Sequence, residues 1–155
     1  MATMIDRARA FLELRRIALV GVSKDPRAFS RAILRELLGR GYDVASVNPS
    51  LADVDGRRCF ARVQDADPPV DGVLIMTRPS AAAEIVRDCA AAGVRHVWFH
   101  RGGGPGSASA EALELCRVRG IEFVTDVCPF MALPQAGWIH RVHALFRRSA
   151  RRPVE

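Results

Sequence analysis

Apolar residues along the chain fall into short continuous runs separated by longer stretches of helical period. Ile17 to Val20 is such a run, closed by Gly21, and Gly72 to Met76 is another. Runs of this kind, apolar at every position, suit strands buried on both faces of a sheet. The pattern predicts six strands: 16–21, 43–47, a short one at 57–61, 72–76, 96–99 and 121–125. Between them the spacing changes to three and four. Ile5, Ala8, Phe11 and Leu12 predict a leading helix over 4–14 on the sheet edge. Ile33, Leu34, Leu37 and Leu38 predict a helix over 27–39 that stops near Gly39 and Gly41. An Ala-rich helix over 80–92 takes Ser80 as its N-cap, and a further helix over 107–118 ends at Gly120. Residues 63–66 read as a helical turn, and Trp138, Ile139, Val142, Leu145 and Phe146 predict a closing amphipathic helix over 136–148.

Strands that alternate with helices through short connections imply a parallel sheet with right-handed crossovers. The fold class expected is α/β: a Rossmann-like, doubly wound parallel sheet with strand order 3-2-1-4-5-6. One domain of residues 1–135 includes the leading helix, and 136–155 form the closing helix and a basic tail.

Composition supports a globular domain, with 49% hydrophobic and 26% charged residues. No apolar run approaches the roughly 18 residues of a membrane span, and the N-terminal stretch has no signal-peptide core. A cytoplasmic location is therefore expected. The net charge of +6 is carried almost wholly by arginine, since Lys24 is the only lysine. Much of the excess lies in Arg141, Arg147, Arg148, Arg151 and Arg152, which reads as a solvated tail. A nucleic-acid partner is disfavoured, because aromatics total only 6% and few are available for base stacking. The four cysteines are widely spaced and form no C-x-x-C pair, and Cys89 and Cys116 read as small buried hydrophobes. His140 and His143, three apart, are surface histidines on this reading rather than metal ligands.

The chemistry concentrates in Arg16 to Leu38. A strand ends at Gly21, a polar turn follows, and a helix opens. Ligands of parallel α/β sheets bind at the carboxyl ends of the strands, and a helix start offers unpaired N–H groups to an anion. Gly21, Val22 and Ser23 form the first turn, and Ser23, Lys24, Arg27, Ser30 and Arg31 supply donors or positive charge. The stretch reads as a phosphate-binding loop, although it matches neither G-x-G-x-x-G nor the P-loop.

The same edge gathers Asn48 and Pro49, then Thr77, Arg78 and Pro79, then His100, and finally Asp126 and Cys128. Dinucleotide sites for NAD place an acid at the end of the second strand to hold the ribose. Asn48 is neutral, and the arginine-rich rim suits a ribose that carries an additional phosphate. Spacing alone admits CoA and NADP equally.

Taken together, GVSKDP, VNPS, DGVLIMTRPS and DVCPFMAL resemble the small bacterial CoA-binding-domain proteins. These are similar to the CoA-binding domain of the succinyl-CoA synthetase alpha subunit. The resemblance covers about residues 15–133. It implies a Rossmann-type fold holding CoA along the sheet edge through Gly21, Ser23, Lys24 and Arg27, with Asn48-Pro49, Arg78-Pro79 and Cys128-Pro129 at the remaining strand ends. The loop HRGGGPG after the fifth strand departs from the family pattern.

The expectation is a binding protein for CoA or an acyl-CoA, alone, as a homodimer or beside a partner enzyme subunit. The alternative is an NAD(P)-dependent oxidoreductase or redox sensor on the same fold. No catalytic residue is assigned and no metal site is expected. Asp126 and His100 read either as an acid–base pair or as loop-stabilising groups. Cys128 reads as a packing residue before proline rather than as a nucleophile.

Overall fold

The fold was analysed in a computed structural model, which describes residues 1–101 and 104–134. The sheet is built outward from Ile17–Val20 (β1). This strand pairs in parallel with Val44–Val47 (β2) on one side and Gly72–Ile75 (β5) on the other, Ile17 lying opposite both Val44 and Gly72. Beyond β5 come His96–Phe99 (β6) and Glu122–Val124 (β7), and beyond β2 comes Arg57–Phe60 (β4), all parallel. The expected class is therefore found. The order differs from the expected six strands by one addition: Asp53–Val54 (β3) pairs antiparallel with β4 at the outer edge. Two residues are too few to leave a periodic signal, and the turn between them uses Asp55 and Gly56, both at positive φ.

Alternate residues of each strand point to opposite faces. Ile17, Leu19, Leu74 and Trp98 pack with Met4–Leu12 (α1) and Phe29–Gly39 (α2). Ala18, Val20, Val73, Ile75, Val97 and Phe99 pack with Pro79–Ala91 (α3) and Ala110–Arg119 (α4). Both faces are covered, which is why the strands read as unbroken apolar runs. Each large aliphatic or aromatic side chain so buried contributes about 1.5–3 kcal/mol relative to exposure. Trp98 also satisfies its one polar atom: Nε1 donates to the Val127 carbonyl at 3.0 Å, and its ring meets Phe11 edge-on.

Several helix starts differ from expectation. Arg78, in extended backbone, precedes α3, and Pro79 occupies its first turn, so Ser80 is not the cap. The ring of Pro79 is pre-set for a first helical position, where no N–H is needed. Ser109, whose hydroxyl accepts from the Ala112 amide, caps α4, which begins three residues later than predicted. Thr3 and Asp6 close α1 with a reciprocal capping box, and α1 packs on the edge strand β7 and its neighbour β6. The predicted turn at 63–66 is a 3₁₀ turn, Val63–Asp65. A short helix not foreseen, Pro129–Ala132 (α5), follows the last strand. No helix among the described residues is long and apolar enough to cross a membrane. The predicted closing helix, its two histidines and the basic tail lie outside the described residues.

Candidate functional site

The carboxyl ends of β1, β2, β5, β6 and β7 share one edge, and the first loop sits where the chain winds both ways from β1. Pairing persists to the end of the strand: the Gly21 amide donates to the Val47 carbonyl and the Met76 amide to the Val20 carbonyl. The chain then turns at Gly21, with φ +97°. A Cβ there would lie 2.9 Å from the Thr77 methyl carbon and 3.0 Å from the Met76 carbonyl, so only glycine fits beside the end of β5.

The loop is fixed by its own polar groups. The Ser23 amide donates to Ser30 Oγ, the Asp25 amide to Ser23 Oγ and the Arg27 amide to Asp25 Oδ1. Hydrogen bonds from the Arg27 amide and guanidinium hold the Asp25 carboxyl below its ordinary range. From the loop, the chain enters α2 through Ala28, which provides no side-chain cap, and the first turn of α2 contains no acid. The first-turn amides and the helix dipole are thus turned toward the edge without a covering carboxylate or hydroxyl. The start of α3 is alike: Arg78 gives no side-chain cap and the first turn has no acid.

Side chains expected to touch a ligand divide into two sets. Arg31, expected to supply a donor or charge to the ligand, is 5% exposed. Its Nη1 donates to the Ser23 and Lys24 carbonyls and its Nη2 to Asp55 Oδ1, so it braces the loop from beneath and ties it to the β3–β4 turn. Its Nε is buried without a hydrogen-bond partner among the described residues. Asn48 is a second brace: Nδ2 donates to the Val22 carbonyl and Oδ1 accepts from the Ser50 amide. Val22 is fully buried, its carbonyl held by Asn48, and Ser30 is buried with its hydroxyl on the Ser23 amide.

The second set faces outward. Lys24, Arg27, Pro49 and Arg78 are exposed, and Ser23, Thr77 and Pro79 are partly exposed. Arg27 is paired with Asp25 at 3.3 Å while remaining 90% exposed, a contact worth little in water. Asp126, read as a possible partner of His100, instead pairs with Arg101 at 2.9 Å. Cys128 is partly buried at the start of α5. The other thiols are buried. Desolvation raises Cys59 and Cys89 above the ordinary thiol range and pushes Cys116 up to about 11.

His100 stands at the end of β6. Its ring lies 5.2 Å from that of Phe29, the first residue of α2, and its Nδ1 is buried with no partner among the described residues. Burial lowers its pKa below the ordinary imidazole value. Phe29 and His100, with Met76, Thr77 and Ser107, border a cleft of about 290 Å³. Phe29 and Ser107 carry no sequence signal for such a role: Phe29 is four residues from Ile33 and reads as core, yet is 46% exposed.

The fold defines a Rossmann-like α/β domain whose first loop lies at the carboxyl edge of the sheet. The chain belongs to the CoA binding domain family, whose model matches residues 15–134. Uncharacterized protein YneT of Bacillus subtilis (strain 168) is 23% identical over 114 residues, 74% of this chain and 82% of that one. Among solved structures, a hypothetical protein from Pyrococcus horikoshii OT3 is 28% identical with a TM-score of 0.75, over 84% of this chain and 89% of that one. The dinucleotide forming acetyl-coenzyme A synthetase 1 of Ca. Korarchaeum cryptofilum, in complex with phosphate and ADP, is 28% identical with a TM-score of 0.65. That match covers 78% of this chain but 27% of the synthetase, so the chain corresponds to one part of it.

Proposed function

We propose that this protein binds CoA or a CoA thioester along the carboxyl edge of its sheet. One observation carries the reading: the Gly21–Ala28 loop, braced by Arg31 and Asn48, delivers the uncapped, acid-free start of α2 to that edge. The ligand's diphosphate accepts from the Lys24 amide and the first-turn amides of α2, since the Ser23, Asp25, Arg27 and Ala28 amides already donate within the loop. Lys24 and Arg78, both exposed, add positive charge, and Arg27 joins them once a phosphate competes with Asp25. Membership of the CoA binding domain family supports the choice of CoA over a dinucleotide. The reading requires no turnover, and the domain acts alone or beside a second polypeptide that carries the chemistry.

Thermal unfolding in parallel with CoA, acetyl-CoA, NAD and NADP tests it. Ligand at 100 times its dissociation constant stabilises a protein by about 2.7 kcal/mol, a rise of about 5–10 °C at this size. A rise with the CoA compounds is expected. A rise with NADP or NAD alone would overturn the assignment in favour of a redox protein, and no rise with any of them would remove the ligand altogether.

A further inference from the structure

Two sets of hydrogen bonds join the first loop to the hairpin of β3 and β4 at the outer edge of the sheet. One runs through Asn48, whose Nδ2 donates to the Val22 carbonyl and whose Oδ1 accepts from the Ser50 amide. The Asn48 carbonyl accepts from the Leu51 amide at 3.3 Å, so the same residue also fixes the entry to the hairpin. The other runs through Arg31, with Nη1 on the Ser23 and Lys24 carbonyls and Nη2 on Asp55 Oδ1. Asp55 lies in the turn between β3 and β4 and is the one carboxylate that Arg31 bonds among the described residues.

The turn itself does not require a carboxylate. Asp55 holds φ 51° and Gly56 φ +75°, a left-handed pair that Asp-Gly, Asn-Gly and Gly-Gly all suit. The Gly56 amide donates to Asp53 Oδ2, so the side chain of Asp55 is left for Arg31. Exposure assigns the roles in this pair: the Arg31 side chain is 6% exposed and that of Asp55 59%. An exposed carboxylate gains little from such a contact, whereas a buried guanidinium depends on its partners. Arg31 Nε has no partner among the described residues, so the Nη2 contact decides how the planar fork is turned. Only a suitably turned fork brings Nη1 to two successive loop carbonyls.

Resting on the CoA reading above, we propose that Asp55 is a positioning residue for ligand binding. From the β3–β4 turn it orients the Arg31 fork, and through Arg31 it holds the first loop in the conformation that accepts the diphosphate. Loop and hairpin are then coupled, and the coupling is reciprocal: ligand on the loop steadies the hairpin as the hairpin steadies the loop.

The test compares the full chain with its Asp55→Gly and Asp55→Asn variants, both of which suit the backbone of the turn. Amide exchange followed by NMR reads the order of the loop without ligand, and isothermal titration with CoA reads affinity. In Asp55→Gly the Ser23 and Asp25 amides, bonded within the loop, are expected to exchange at least about fivefold faster, and CoA to bind about five- to tenfold more weakly. Amides of β5 and β6 are expected to keep their rates, which a general loss of stability would not allow. Asp55→Asn leaves an acceptor oxygen for Nη2 and is expected to lose less by both measures. CoA is expected to slow exchange of the Gly56 amide in the unmodified protein and not in Asp55→Gly. Loop exchange that is unchanged in Asp55→Gly, or accelerated no more than that of β5 and β6, would overturn the proposal, as would undiminished CoA affinity. Equal losses in the two variants would also overturn it, because the oxygen left in place would then hold nothing. Failure of the unmodified protein to bind CoA would overturn the CoA reading itself, while the exchange rates without ligand would still decide whether Asp55 orders the loop.

Discussion

Replacing Gly21 by alanine separates two costs that are normally confounded, because the chain supplies its own control. Gly21 has φ +97° and a Cβ there would meet backbone and side-chain atoms of Met76 and Thr77 at 2.9–3.0 Å. Gly56 has φ +75° but open space around its missing Cβ. Both substitutions impose backbone strain of about 1–3 kcal/mol, offset by about 0.4–1 kcal/mol from the stiffer unfolded chain. Gly21→Ala adds overpacking of about 1–3 kcal/mol, since the obstructing carbonyl belongs to the end of β5 and cannot rotate aside as a side chain would. The expected loss is therefore about 1–5.5 kcal/mol at Gly21 and about 0–2.5 kcal/mol at Gly56. At this chain length each kcal/mol moves the midpoint by about 2–4 °C. Thermal unfolding of both variants is the assay, with ligand titration of Gly21→Ala beside it, because the same shift displaces the phosphate loop. A Gly21→Ala midpoint no lower than that of Gly56→Ala would refute the argument that close approach to β5 dictates glycine at this turn.

Arg31→Met removes the brace under the loop and is expected to destabilise by about 1–3 kcal/mol in denaturant unfolding, since the Ser23 and Lys24 carbonyls lose their donor while Asp55, 59% exposed, rehydrates. Trp98→Phe leaves the buried Val127 carbonyl without its donor and is expected to lose about 1–3 kcal/mol by the same measurement. Because burial lowers the folded pKa of His100, the unfolded chain binds the extra proton as pH falls through the ordinary imidazole range. The stability present above about pH 6.5 is then lost progressively toward the lower folded value, and His100→Gln is expected to flatten that part of the midpoint-versus-pH curve. Thiol titration of the native protein with a disulfide reagent is expected to modify Cys128 first, with Cys59, Cys89 and Cys116 reacting only on unfolding.

Sequence reading recovered the fold where burial leaves a periodic mark. The central strands are apolar at every position because helices cover both faces, and the α2 face repeats at three and four because Ile33, Leu34 and Leu37 enter one core. It missed β3, α5 and the true start of α3, which are set by turn geometry, a two-residue pairing and a proline ring rather than by periodicity. At the candidate site it named the loops of the carboxyl edge but not which way their side chains point. Arg31 sits four residues before Arg35, and nothing in the spacing says that the first is buried and the second exposed. The difference arises from Asp55 and the Ser23 and Lys24 carbonyls, partners up to 24 residues away in the chain. Phe29 is the reverse case, an apolar residue at core spacing that remains half-exposed, because it belongs to the rim of a cleft formed with β6.

These reversals have a common physical basis. An anion site made of backbone amides depends on the loop being held still, because amides that reorient on binding lose much of their electrostatic advantage to ordering entropy. Arg31 and Asn48 supply that rigidity by binding loop carbonyls, which fixes the peptide planes: the Ser23 and Asp25 amides of these planes bond within the loop, and the direction of the Lys24 amide is set with them. On the proposed reading, a buried arginine beneath the loop also adds positive charge under the bound phosphate without a side chain to be displaced. On this argument the polar residues with the least exposure contribute to affinity through order, whereas exposed Lys24 and Arg27 contribute through a salt-screened attraction. Raising ionic strength should therefore erase most of the difference between the unmodified protein and a Lys24→Ala variant in CoA affinity, and little of the difference made by Arg31→Lys. Equal salt sensitivity of the two variants would show that Arg31 acts as a charge and not as a brace.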